Sequence, residues 1–182
     1  MNSSFLCACG LGLLAVTACG PTMPAAATRI VAADAAVLKQ TPVCFAPPPL
    51  APDLTLRAQQ QRMLQICEAA ARSEHVPVIP YGTGQCLVAT MTWASRETGD
   101  RVGDCTGWYA YATCTDHAVR LKSMKLTLSP LLGGQAVVET TAAIDSSYSG
   151  FSPHSLRALC SAAFKDYPQP LTNAQFDVPV GD

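Results

Sequence analysis

The sequence predicts an α+β domain: a two-layer sandwich of a mostly antiparallel sheet with two helices on one face, stapled by disulfides. Three observations lead there. Side chains alternate with period two in several stretches between Cys86 and Ile144. Two other stretches each carry one apolar stripe at helical spacing, and such stripes are buried by laying the helices against the sheet. Six cysteines lie beyond the first twenty residues of a chain that begins like an exported protein. With 182 residues, 49% of them apolar, the chain holds one sizeable core and is short for two. Lys+Arg is 12 against Asp+Glu 13, which excludes a nucleic-acid binder working through a basic face. Charged residues make up 14%, too few for a disordered chain.

The elements follow in order. Residues 1–18 carry no charged side chain, and Phe5 to Val16 form an apolar run of about 12 residues, too short to span about 30 Å of hydrocarbon. Residues 19–40, with Pro21, Pro24 and Ala25-Ala26-Ala27, read as a tether whose stretch from Gly20 to Gln40 would reach about 70 Å fully extended. Ile30-Val31-Ala32-Ala33 is apolar enough to join a fold instead. The domain proper is expected over residues 41–168. Pro42-Val43-Cys44-Phe45 is a short first strand stopped by prolines. Asp53 then caps a helix whose apolar face is Leu56, Met63, Ile66, Cys67 and Ala70. Val76 to Pro80 reads as a second short strand, kept to an edge by its prolines.

From Cys86 to Ala94 the alternation is that of a half-buried strand. Residues 97–104 read as a polar loop. Val119 and Leu121 alternate in one phase and Met124, Leu126 and Leu128 in the other, which predicts a β-bulge at Lys122-Ser123. Ala136, Val138, Thr140, Ala142 and Ile144 form the inward face of a further strand. Ser152 caps the last helix and Pro153 opens it; Leu156, Leu159, Cys160, Ala163, Phe164 and Tyr167 make its stripe before Pro168. Residues 169–182 are a tail, either docked or frayed.

Six cysteines allow 15 pairings in three disulfides. Cys105 and Cys114 flank eight residues and can close a local hairpin or loop. Cys67 and Cys160 each lie on a helical apolar stripe and can meet if the helices lie side by side. Cys44 and Cys86 remain, near the ends of two strands.

The segment Val16-Thr17-Ala18-Cys19 resembles the lipobox of bacterial lipoprotein signal peptides, although the stretch before the apolar run has no Lys or Arg. The resemblance implies that residues 1–18 are removed and that Cys19 is lipidated, anchoring the chain in a membrane. Gly20 after the cysteine, where Asp would retain it, implies the outer membrane of a Gram-negative envelope, facing the periplasm. Val43-Cys44-Phe45, Cys86 with Thr90-Met91-Thr92-Trp93, and Ile144-Asp145 ahead of the closing helix resemble small proteobacterial lipoproteins of unknown function. At coarser range the layout is similar to domains of envelope-assembly lipoproteins and to the amino-terminal domain of the Tol-system periplasmic protein.

Residues for chemistry are scarce. Cys105, Cys114 and His117 lack the C-x2-C knuckle of structural zinc, and Asp100 with Asp104 lack the ligand density of a calcium loop. No metal, cofactor or catalytic residue is expected. His154, near Ser152 and Asp145, invites a hydrolase reading, but no G-x-S-x-G elbow accompanies it. Trp108, Tyr109 and Tyr111, between Cys105 and Cys114, are candidate partner-binding aromatics, since rigid aromatics dominate binding hot spots. The expectation is a non-enzymatic binding or accessory module of an envelope protein complex, held to the membrane by Cys19. A structural coat lipoprotein is the alternative, and a hydrolase using His154 a further one.

Overall fold

A computed structural model describes residues 22–47, 53–106, 113–147 and 150–179. The described residues fold as mixed α+β, with three helices and a six-stranded sheet. The elements are β1 (Thr22–Val31), α1 (Ala35–Gln40), β2 (Val43–Phe45), α2 (Leu54–Ser73), β3 (Leu87–Thr106), β4 (Thr113–Pro130), β5 (Val138–Ser146), α3 (Pro153–Phe164) and β6 (Leu171–Pro179). The strand order is β2-β3-β4-β5-β1-β6. Among the named strands, β2 pairs in parallel with β3 and the other neighbours are antiparallel.

Both helix starts expected from the sequence are capped by side chains. Asp53 Oδ1 accepts the Thr55 N–H at 2.8 Å, and Ser152 Oγ accepts that of Ser155 at 3.1 Å. Inward alternation along β5 buries Val138, Thr140, Ala142 and Ile144. These meet Met124, Leu126 and Leu128 of β4 and the closely packed Ala158, Leu159, Ala162, Ala163 and Phe164 of α3 in one core. Disulfides join Cys44 to Cys86 and Cys67 to Cys160, with Cα atoms 5.8 and 5.1 Å apart. The second crosses from α2 to α3 with both cysteines fully buried.

Several elements differ from the sequence reading. The tether is largely absent, because residues 22–31 form an interior strand of the sheet and Asp34 caps a short helix, accepting the Ala36 N–H at 2.7 Å. Alanine is a weak strand former, so β1 exists by virtue of its place between β5 and β6 rather than by propensity. Pro24 is tolerated because the β5 ladder begins only at Ala26, which leaves Pro24 flanked by β6 alone. The tail is β6, paired with β1 from Thr22–Pro179 to Arg29–Leu171. Val76 to Pro80 contributes one isolated bridge, Val43 to Val78, since Pro77 and Pro80 have no N–H to extend it.

The polar loop at residues 97–104 is instead the continuation of β3 in a long hairpin with β4. The bulge expected at Lys122-Ser123 is not there, as both residues hold unbroken register with β3 and β5. The phase changes because Lys122 itself takes the inner face and is fully buried. The irregularity lies on β3 between Glu97 and Arg101, where Gly99 adopts φ 91° and Thr98 Oγ1 donates to the Val119 carbonyl at 3.1 Å. Finally, α3 stops at Phe164 rather than Tyr167, because Arg29 takes up the carbonyls at its end.

Candidate functional site

Three places carry the side chains that a function would use. The first is the outer part of the β3–β4 hairpin. The last rung shared with β5 is Arg120–Ser146, and beyond it β3 and β4 pair only with each other, from Glu97–Arg120 out to Thr106–Thr113. This two-stranded arm is exposed on both strands through Ser95 to Arg101 and at Asp116 and His117. Two ion pairs cross the ribbon: Arg120 with Glu97, and Arg101 with Asp116 at 3.9 Å. Both pairs are solvated and stabilise little. The register sets Cys105 directly opposite Cys114. Trp108, Tyr109 and Tyr111 belong to the connection between these strands and lie outside the described residues, as does Cys19.

The second place is buried. Arg29 points inward from β1, 2% exposed. Its Nε donates to Thr140 Oγ1 at 3.1 Å, one terminal nitrogen to the Gln169 carbonyl at 2.9 Å, and the other to the carbonyls of Ala163 and Lys165 at 2.7 and 2.8 Å. The guanidinium also lies 5.7 Å from the Tyr167 ring centroid. Burial lowers its pKa to about 10, leaving it cationic at neutral pH. Burial likewise raises the Tyr167 phenol to about 12, with Arg29 opposing the rise. Elsewhere on the sheet, Lys122 Nζ donates to Ser146 Oγ at 3.0 Å and to the Gly150 carbonyl, and sits 5.6 Å from the Phe151 ring centroid. Burial, then Arg120, lowers its pKa.

A lysine beside a serine is a nucleophile-and-base combination in some acyl-transfer enzymes. Here the ammonium is committed to the Gly150 carbonyl, and its geometry ties the β5–α3 connection to β4. Arg29 in the same way closes the end of α3. Neither signal was read from sequence. A charged residue in inward step with Ala25 and Ala27, and one at the phase change of β4, were the available signs.

The third place is a pair of grooves of about 430 and 550 Å³ along α2, sharing Pro47, Gln60 and Leu64. The first runs between Gln59 and Met63 of α2 and Met91 and Trp93 of β3. Gln60 Oε1 is buried with no hydrogen-bond partner among the described residues.

The hydrolase residues do not assemble a site around Ser152. Its hydroxyl caps α3 and also bonds the Ser155 hydroxyl at 3.2 Å, while His154 and Asp145 are surface residues. Among the described residues no three His, Cys, Asp or Glu side chains group as metal ligands.

No protein-family model and no curated protein matches the chain. Solved structures give distant likenesses. One is a PDZ domain protein from Parabacteroides distasonis, 8% identical with a TM-score of 0.47, covering 86% of this chain. The chain spans 38% of that protein's length. Two others are PelC dodecamers from Paraburkholderia phytofirmans, at 10% and 14% identity and TM-scores of 0.45 and 0.41. They cover 79% and 75% of this chain and 98% and 92% of their own. Likeness this distant transfers no function.

Proposed function

We propose that this protein is a lipoprotein anchored through Cys19 in the outer membrane, facing the periplasm, and serving as a non-enzymatic accessory module of an envelope complex. The observation that carries the reading is the β3–β4 arm. A two-stranded ribbon is at best marginally stable in water by itself, and an exposed one gains stability when something lies against it. Among the described residues, the arm continues past the end of β5 and gives no residue to the buried core beyond its root. Such an element is more readily explained as a contact device than as part of the scaffold.

Two buried disulfides support an oxidising compartment, because cytosolic thiols are kept reduced. The same reading takes Cys105 and Cys114 as a third disulfide that pins the arm, and Trp108, Tyr109 and Tyr111 as its partner-binding aromatics. It also takes α2 and α3 as one layer over a single face of the sheet, supported by their shared disulfide and shared core residues.

The test is an arm-shortened chain in which Asn-Gly, a preferred two-residue hairpin turn, replaces Thr98 to Val119, joining the paired residues Glu97 and Arg120. In crosslinked native envelopes the unaltered protein is expected to hold one stoichiometric protein partner, and the shortened chain to lose it with its thermal unfolding nearly unchanged. Equal partner capture by the two chains would remove the arm from the reading.

A further inference from the structure

The register fixes what else lies at the end of the sheet where the chain enters. β1 starts at Thr22 opposite Pro179, the end of β6. Its pairing with β5 sets Ala26 opposite Ala143, which carries Met23 level with Ser146, the end of β5. Ser146 in turn faces Arg120, at the root of the arm. The start of β1, the ends of β5 and β6, and the root of the arm therefore share one end. From Arg120 to Thr113 the arm runs seven residues further in the same direction, roughly 23 Å at strand rise. The β4–β5 turn with the fully exposed Leu132 occupies the opposite end.

Cys19 precedes Thr22 by three residues, so covalent geometry keeps their Cα atoms within about 11 Å. We infer that the arm lies along the surface of the bilayer that holds the acyl chains of Cys19, with the β1-start end of the sheet against the headgroups. This rests on the lipid anchor proposed above. A connection of about 11 Å cannot lift a rigid sheet clear of a ribbon that projects roughly 23 Å on the same side. Upright insertion is opposed by the backbone: beyond Arg120 the described strands of the ribbon pair only with each other, so their outer edges would carry unpaired N–H and C=O groups into hydrocarbon. The strands must therefore tilt until the arm rests among the headgroups. Its cross-strand pairs of opposite charge suit a zwitterionic surface, which offers both signs.

The test uses the full lipidated chain in its own envelope membranes, with the photoreactive residue p-benzoylphenylalanine replacing Asp116 in one variant and Leu132 in another. Intact mass of each sample reads the acyl chains on Cys19 independently. The expected result is acylated protein in both, phospholipid adducts from position 116 and none from position 132. Acylated protein with adducts from 132 alone, or from neither site, overturns the orientation while leaving the anchor intact. Protein without acyl chains overturns the anchor, and the orientation with it.

Discussion

Arg29 performs at the end of α3 the task that glycine caps perform elsewhere: it satisfies carbonyls that the helix leaves without donors. Replacing it with methionine keeps the stem but orphans the carbonyls of Ala163, Lys165 and Gln169. Arg29→Met should cost about 2–4 kcal/mol in urea unfolding, with the slope unchanged. A loss under about 0.5 kcal/mol would show that these carbonyls find other donors. Tyr167 makes a separate prediction. Its folded pKa, about 12, stands above the ordinary 10, so the unfolded chain ionises first. Its contribution is complete below pH 10 and is lost as pH rises from 10 to 12. Absorbance at 295 nm should show one tyrosine ionising near pH 12, and Tyr167→Phe should remove that late phase. Tyr167 was legible as structural, on the apolar stripe of the last helix, and it packs against the core; Arg29 was not. A pattern reader assigns charge to the solvated face, whereas burial with every donor used is decided by contacts more than a hundred residues apart, as from Arg29 to Thr140.

At the scale of elements, local signals were legible, as were the pairings of Cys67 with Cys160 and Cys44 with Cys86, whereas the strand neighbours were not. The caps at Asp53 and Ser152 are written in residues next to the helices they start. The inner face of β5 is likewise written in its own alternation. β1 is not, since its alanines and Pro24 describe a strand only once β5 and β6 flank it. The β3–β4 arm was hidden for another reason: Gly99 and its polar neighbours look like a loop, and the bulge they form lets the ladder resume at Arg101. The α2–α3 staple gives this scale its prediction. Cys67 and Cys160 are separated by 93 positions, and the chain-entropy account gives the closed loop about 4–5 kcal/mol. Cys67→Ala with Cys160→Ala should lower stability by roughly 2–5 kcal/mol and raise the exposure of the α2–α3 interface to hydrogen exchange. Unchanged protection of α3 would show that helix packing alone holds the pair.

For the whole molecule, the decisive feature is where the fold begins. A long tether would have let the domain search well away from the membrane. Under the proposed anchor, a strand starting three residues after Cys19 instead makes the membrane part of its surroundings. Inserting 20 Gly/Ser residues between Gly20 and Thr22 gives a flexible spacer of about 25 Å and should abolish lipid adducts from position 116, with folding and acylation retained. Adducts that persist at full yield would show that the arm seeks lipid without help from the short connection. The proposed function and the orientation both depend on the anchor. The most direct measurement is the intact mass of the mature chain isolated from its own envelope. The account predicts a chain that begins at Cys19 and carries acyl groups, and that floats with membranes until Cys19→Ala abolishes the attachment. A mature chain with an unmodified amino terminus, released without detergent, would contradict it.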